Sequence, residues 1–422
     1  MKTPILYRNE RGAVLVISLM FLVILGLLGT TAVVMTTTDT KIGSNYSAGQ
    51  KAFFNADAGV NFAVREMETD LAGGSFSLPT TIGGTSTMAY SVPSGFNFSL
   101  SDVTMIATNS YSITSTGAGP DNAKAEITIL FKRGAAISFA AFGDEKMEVK
   151  NSGQIYSYDS RTSTPATGMG NSSGQGDIGS NEWVVTKNAS VIDGDGVFGA
   201  YADGSATTNG LFDTSDFSGD APVDAGRIDP DPLGINSGGE YDPTTYSASN
   251  DNASAVPTSA IAGNVIGLGS SYSTSTMTLP GKSGGANYYV TAIDMKNSTN
   301  LIIDTTLGPV RLFMDNTGSA ATDFKLNNSA AITVIPAGNE DQFGFFTNFT
   351  GSLDVKNSGD FNGLFYAPKA DVIIHNSGNL NGAVWGKTVD IKNSGIVNYN
   401  TALADAYLSN DLTKTSWNDD RN

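Results

Sequence analysis

The sequence predicts an α+β protein, in which a long N-terminal transmembrane helix precedes a small antiparallel sheet and a mainly β distal domain. Three observations carry this prediction. Residues 12–35 contain no charge. Residues 73–133 hold short segments of alternating apolar and polar residues between turn-forming clusters, the pattern of antiparallel strands. A six-residue phrase then recurs through the distal half, which predicts a parallel β-helix.

The composition excludes several classes of function. The chain of 422 residues has no cysteine and a single histidine, His375, so disulfides, zinc fingers, cysteine nucleophiles and multi-histidine metal sites are excluded. Its 41 acidic and 24 basic residues give a net charge of -17, which opposes binding to a phosphate backbone. We therefore expect no nucleic-acid partner and no cofactor.

The first element is a membrane anchor. About 20 helical residues cross a bilayer core of about 30 Å, and residues 12–35 are long enough. Lys2, Arg8 and Arg11 precede them and should stay in the cytoplasm. A cleaved secretory signal has a similar start, but this apolar run is longer than usual and its pattern continues as a helix.

That helix is predicted over residues 13–71. Beyond the anchor, apolar or small residues recur at alternating steps of four and three, which is the seam of a packing helix. Its larger members are Ile42, Tyr46, Phe53, Val60 and Met67. The plainer alternative is a membrane anchor followed by a coiled coil.

The same residues carry a resemblance to a known family. RGAVLVISLMFLVILGLLG and KIGSNYSAGQKAFFNADAGVNFA resemble the N-terminal domain of PilX-type minor pilins of type IV pili, including an A-F-x-x-A-[DE]-A-G block at residues 52–59. The resemblance implies that prepilin peptidase cuts between Gly12 and Ala13, so residues 1–12 are a leader. It also implies a methylated Ala13 amine, other pilins as partners, and passage from the inner membrane of a Gram-negative bacterium to the pilus or cell surface.

One residue departs from the major pilins. They carry a glutamate at mature position five, where this chain has Ile17. A carboxylate in lipid is costly unless it is paired, and in major pilins it is thought to meet a neighbouring amine. Ile17 cannot form that pair. Its presence fits a minor or tip-proximal subunit.

The middle of the chain divides into two regions. Residues 72–133 are predicted to form a small pilin-like β domain. Residues from about 201 to 285 form an acidic, loop-rich insertion. Four aspartates there are spaced closely enough for a structural calcium ion, namely Asp213, Asp216, Asp220 and Asp224. Just before this region, Asp193-Gly-Asp195-Gly is similar to the start of an EF-hand loop, but Val197 stands at the third ligand position and the pattern fails. A solvated long loop is therefore favoured over calcium.

The repeated phrase is apolar, acid, apolar, Lys, Asn, Ser, and it occurs in full at residues 147–152, 293–298, 353–358 and 389–394. Its alternation places the apolar pair on one face of a strand and the charges on the other, and Asn-Ser ends the strand in a turn. Degraded copies lie near residues 188, 328 and 376. We predict that the turn asparagines stack in a ladder on successive coils, with members at Asn151, Asn297, Asn357, Asn376 and Asn393.

The β-helical domain is placed at residues 134–407, followed by a C-terminal tail at 408–422. GLFYAPKADVIIHNSGNLNGAVWGKTVDIKNSGIVNY resembles the C-terminal β-helical domain of some PilX-type proteins. His375 replaces the repeat lysine and is interpreted as an exposed ladder residue rather than a catalytic base. Gly386-Lys387-Thr388 lacks the phosphate-loop context.

The protein is predicted not to be an enzyme, because its visible acids recur with the repeat, whereas a catalytic pair needs two unlike environments. We expect a minor pilin that displays the distal domain for adhesion or aggregation, with a surface glycan or other cell-surface ligand as partner. Exposed aromatic residues such as Trp385 are candidates for binding a glycan, and a core or stacked position is the equal alternative. The alternatives are a type II secretion pseudopilin and a membrane-tethered β-helical carbohydrate enzyme.

Overall fold

The computed structural model describes residues 11–72, 76–79, 81–107, 109–166, 168, 171–199, 210–211, 214–220, 223–224, 227–235, 237–269, 271–272, 274–316 and 324–420. The leader residues 1–10 lie outside this range. The chain divides into two compact units, one formed by residues 1–134 with 410–422 and the other by residues 135–409. Each unit has its own apolar core.

The first unit consists of one long helix and a small sheet. Helix α1 runs over Arg11–Ala72. The strands are β1 Thr85–Ser86, β2 Phe98–Leu100, β3 Val103–Ala107, β4 Ser110–Ala118 and β5 Lys124–Ala135, joined by the C-terminal strand β28 Leu408–Asp420. The sheet has the order β1-β3-β4-β5-β28, and β2 also pairs with β4. The pairs with a described register among β1–β5 are antiparallel, as the sequence predicts.

Small residues let the helix lie close to the sheet. Ala48, Ala52 and Ala56 are buried at steps of four. Opposite them, a Cβ added to Gly117 would lie 2.1 Å from the Ala52 carbonyl oxygen, and one added to Gly119 would lie 2.3 Å from that of Ala48. Because backbone meets backbone here, the residue types at this contact are fixed by space. This explains the alanine-rich block of the sequence.

The prediction of a C-terminal tail is wrong for residues 408–420, which form β28 at the edge of the small sheet. Leu412 is buried in the core of the first unit, and its backbone N–H donates to Glu68 Oε1 at 3.2 Å. Lys414 Nζ donates to Asn61 Oδ1 at 2.7 Å. This polar segment has little apolar periodicity, and a pairing partner almost 300 residues earlier leaves no local signal.

The second unit is built mainly from short strands. They are β6 Ala141–Lys150, β7 Gln154–Tyr158, β8 Ile178–Ser180, β9 Trp183–Lys187, β10 Val191–Ile192, β11 Gly196–Phe198, β12 Gly210–Leu211, β13 Val223–Asp224, β14 Ile261–Ala262, β15 Val265–Leu268, β16 Thr276–Pro280, β17 Ala286–Val290, β18 Ala292–Lys296, β19 Asn300–Asp304, β20 Val310–Met314, β21 Phe324–Asn327, β22 Ala331–Ile335, β23 Phe343–Thr347, β24 Ser352–Lys356, β25 Asp360–His375, β26 Asn379–Lys392 and β27 Ile396–Asn400. A short helix α2, Leu403–Ala406, follows β27.

These strands wind in parallel, three to a turn. From β15 onward each strand pairs with the strand three positions later: β15 with β18, β16 with β19, β17 with β20, and so on to β25. Three columns of parallel strands result, and successive turns enclose a core of fully buried aliphatic and aromatic side chains. A parallel β-helix requires pairing of this kind.

The order of the turns in space differs from their order in sequence. The last turn, at β26 and β27, pairs in parallel with the first, at β6 and β7. From there the stack continues through β8, β9 and β10. The two ends of this unit also meet, since Ala136 N–H donates to the Tyr407 carbonyl at 2.8 Å. The chain therefore enters and leaves the unit side by side.

This order forces the chain to travel back along the stack after β13, because β14 and β15 lie at the other end. We call residues 227–255 the return segment. It follows a column of aromatic side chains, one from each turn, that are in register on adjacent strands: Tyr289, Phe313, Phe346, Tyr366, Trp385 and Phe142.

The return segment contacts successive members of that column. Tyr246 stacks on Phe313 with ring centroids 4.2 Å apart, and Tyr241 lies 5.0 Å from Phe346. Further along, Tyr366 Oη donates to Asp231 Oδ1 at 2.7 Å. The prediction of a solvated insertion at 201–285 is thus wrong in two places, since residues 227–255 cover aromatic surface and residues 261–290 form β14–β17.

The close helix–sheet contact can be tested with one methyl group. Gly117→Ala should lower the free energy of unfolding of the first unit by about 1–3 kcal/mol, because the new Cβ meets backbone atoms that cannot rotate away. Gly49→Ala is the matched control, since a Cβ there has no atom within 4 Å. Thermal unfolding of the full chain in detergent would measure both. Equal stability of the two variants would contradict the packing described.

Candidate assembly helix and asparagine ladder

The N-terminal part of α1 has the properties of a membrane span. Within the described residues, this is the one helix apolar and long enough to cross a bilayer. Its large side chains from Val14 to Met35 are exposed. The hydroxyls of Ser18, Thr30 and Thr31 each donate to a backbone carbonyl four residues earlier, at 2.7–3.0 Å. Such bonds satisfy polar groups that lipid cannot satisfy.

The predicted processing site lies at the start of this helix. α1 begins at Arg11, so the peptide bond between Gly12 and Ala13 falls in its first turn. The side chains of these residues lie outside the described part. Ile17, one turn further, is 54% exposed. It presents an apolar surface where a carboxylate would need a partner.

The structure divides the predicted packing seam. Val60 and Met67 are buried against the sheet, and Phe53 is half-buried. Ile42 and Tyr46 are exposed in the single chain, because they precede the part of α1 that the sheet covers. The buried face also includes Ala48 and Ala52, which the seam omits. The two steps of four from Ala48 through Ala52 to Ala56 are the signal that would have found them.

In the second unit, the asparagines of the repeat form one continuous ladder. Each amide nitrogen donates to the amide oxygen of the next asparagine at 2.8–3.3 Å, in the order Asn188, Asn151, Asn393, Asn376, Asn357, Asn328, Asn297. The structure thus brings together all five asparagines named from the sequence and adds two from degraded copies. The ladder crosses the junction between first and last turn at Asn151 and Asn393.

The turn itself explains why asparagine recurs. Each ladder asparagine and the residue after it have positive φ, as at Asn376 (52°) and Ser377 (59°). Asparagine adopts this left-handed region more readily than most other residues. Backbone hydrogen bonds run alongside the side-chain ladder. Ser377 N–H donates to the Asn393 carbonyl and Ser358 N–H donates to the Asn376 carbonyl, each at 3.2 Å.

The charged positions of the repeat form ion pairs beside the ladder. Glu148 accepts hydrogen bonds from Lys146 at 2.9 Å and Lys150 at 2.8 Å. Burial would raise its pKa, but the bonds and charges of these lysines outweigh burial and lower the pKa to about 2. Glu148 is thus held ionised by its two lysine partners. On the adjacent turn, Lys392 forms an ion pair with Asp390 of the same strand, β26.

His375 occupies the lysine column, as interpreted from the sequence, but its side chain is only 17% exposed. It aligns with Lys392 on one side and Lys356 on the other. Burial lowers its pKa first, and the two lysines lower it further against the opposing effect of Asp354. Its Nε2 lies 3.8 Å from Asp354 Oδ1. These surroundings favour the neutral imidazole.

The structure also locates the Gly386-Lys387-Thr388 motif and Trp385. Gly386-Lys387-Thr388 lies inside strand β26, which is not the start of a helix. Trp385 is only 1% exposed, so the idea of glycan binding through an exposed Trp385 is wrong; its Nε1 donates to the Pro230 carbonyl at 2.8 Å. In the described residues no three acidic or histidine side chains converge as metal ligands. Asp213 lies outside that range.

These features define a class of protein in which a bilayer-length apolar helix continues into a helix–sheet unit and is followed by a body of parallel strands. Two family models match. Residues 11–61 match the family described as PilX N-terminal, and residues 244–406 match a domain of unknown function, DUF7305. No curated protein matches. The first match confirms, over residues 11–61, the resemblance to the N-terminal domain of PilX-type minor pilins.

One solved structure is also similar, the competence-associated pilin ComZ from Thermus thermophilus, at 12% sequence identity. The alignment covers 88% of this chain and 97% of that one, with a TM-score of 0.27. A score this low carries no argument about fold or function.

The ladder predicts a specific cost for losing one asparagine. Asn376→Gly should destabilise the second unit by about 1 kcal/mol, since it removes two side-chain bonds but keeps a backbone suited to positive φ. Asn376→Ala should cost about 1–2 kcal/mol more, because alanine is strained there. Chemical unfolding of the full chain would measure both.

Asn264→Gly is the control for this test. Its φ is 61°, and it lies outside the ladder. Stability should be almost unchanged. If Asn376→Gly were as harmless as Asn264→Gly, the side-chain bonds of the ladder would contribute nothing.

Proposed function

We propose that this protein is a minor pilin that is incorporated in, or initiates assembly of, a type IV pilus and displays its β-helical domain for adhesion or aggregation. The observation that carries the proposal is α1 itself. Its first part is uncharged, apolar and exposed over a bilayer length, and the same helix then packs on a small sheet. Such a helix suits a subunit that is held in the inner membrane and later packs among other pilin helices.

The processing step follows from the same segment. Prepilin peptidase would cut between Gly12 and Ala13 and remove the basic leader. Ile17 supports a minor or tip-proximal role, since this chain cannot offer a neighbour the carboxylate that pairs with an N-terminal amine. A filament tolerates few subunits that lack such a pair, because unpaired charges in an apolar bundle are costly.

The exposed part of the seam supplies contacts for neighbours. Ile42 is 61% and Tyr46 68% exposed, and both follow the apolar span. Burying side chains of this size stabilises an interface by about 1.5–3 kcal/mol each. We propose that neighbouring pilin helices cover them in the filament.

Shearing pili from cells of the organism that encodes this protein, followed by mass spectrometry, tests the proposal. The chain should be present in the sheared fraction, with a methylated N-terminus at Ala13. Gly12→Leu should block cleavage and keep the uncut chain in the membrane. Gly29→Ala is the matched control in the same helix, since a Cβ there meets no atom within 4 Å, and it should be processed normally.

An intact Met1 in the envelope with absence from filaments would refute the pilin assignment. Loss of protein secretion with normal pili in a deletion strain would instead favour a type II secretion pseudopilin.

A further inference from the structure

A pocket of ≈ 370 Å³ with both polar and apolar walls opens on the second unit beside the return segment. Its walls come from four separate parts of the chain. Strand β20 supplies Arg311, the return segment supplies Tyr241, and the region around α2 supplies Tyr407. Asp341 and Gln342, from a short 3-10 helix, complete it. Pockets of about 300–1,000 Å³ are typical of small-molecule sites.

Arg311 is held rigidly at the pocket wall. Its guanidinium lies 5.3 Å from the centre of the Tyr241 ring, and Nη2 lies 2.8 Å from Glu240 Oε1. The Arg311 side chain is 19% exposed, whereas that of Glu240 is 58% exposed. A planar guanidinium has five donors, so one ion pair leaves donors for a ligand. Fixing it in advance lowers the entropy cost of binding.

The other walls offer complementary chemistry. The rings of Tyr241 and Tyr407 lie 6.0 Å apart at an angle of 54°, which makes an apolar corner. Gln342 can both donate and accept hydrogen bonds. Burial raises the pKa of Asp341, so its carboxyl is protonated more readily than an exposed one. Donors and acceptors therefore face the same small space as two aromatic surfaces.

The charges decide the class of ligand. Glu240 and Asp341 disfavour an anion, and Arg311 disfavours a cation. A neutral molecule with one apolar face and several hydroxyls matches both the aromatic corner and the polar groups. We propose that this pocket binds a neutral hexopyranose unit of a glycan. The inference rests on the proposed function in one respect, since a displayed sugar site is what an adhesive pilin would use.

Saturation-transfer NMR on the full chain tests the proposal. The detergent should be dodecylphosphocholine, because sugar-based detergents would compete. The probes are the methyl α-glycosides of glucose, galactose and mannose, with glucuronate as the anionic comparator. At least one neutral glycoside should receive saturation, strongest at its ring C–H protons, and glucuronate should receive less.

Variants assign the binding to the pocket. Arg311→Lys keeps the charge but loses the planar donors, and Gln342→Ala removes the amide; each should weaken affinity at least tenfold. Arg227→Lys is the matched control, because Arg227 pairs with Asp144 elsewhere on the unit. Circular dichroism should show that all three remain folded.

The proposal is overturned if no neutral glycoside binds, if glucuronate binds more tightly, or if both pocket variants bind like the control. Its failure is separable from that of the proposed function. A chain found in sheared pili that binds no sugar refutes only the pocket. A chain that binds sugar but never reaches pili refutes only the pilin role.

Discussion

The parallel pairing between the last and first turns of the second unit is the constraint on which its other features depend. Lys392 is in register with Lys150, and Trp385 with Phe142. Without this pairing, the unit would be two shorter stacks with two further open edges, and open edges invite association. The pairing also fixes the entry and exit of the chain side by side and makes a return segment necessary. That segment then covers the aromatic column and supplies Tyr241 to the pocket.

The structure links each functional element to a local physical cause. The start of α1 suits a membrane because its hydroxyls donate to carbonyls of the same helix and its surface is uncharged. Alanine against glycine lets its later part lie on the sheet. In the second unit, asparagines in left-handed conformation repeat the same side-chain hydrogen bond between successive coils. Each pair of neighbouring coils therefore adds to the stability of the unit. One wall of the pocket, Arg311, lies on strand β20 of this unit.

Some of this could be predicted from sequence and some could not. The anchor and the repeat phrase are local patterns, so the apolar span, the long helix and the five named ladder asparagines follow from them. The order of turns could not be predicted, since Asn151 and Asn393 meet across 242 residues and the phrase is the same on every turn. For the same reason the sequence does not predict that residues 408–420 form β28. The burial of Trp385 cannot be predicted either, because the return segment that covers it has no sequence pattern of its own.

Disulfide trapping tests the junction between first and last turns most directly, and the absence of native cysteine makes it clean. Lys150→Cys with Lys392→Cys places two thiols on adjacent paired strands, about 5 Å apart at Cα, within the range of a disulfide. Lys150→Cys with Lys356→Cys is the control, three strands apart and about 14 Å away. Mild oxidation of the full chain should yield an intramolecular disulfide, seen by mass spectrometry, in the first variant alone. No disulfide there, or equal yield in the control, would contradict the stack.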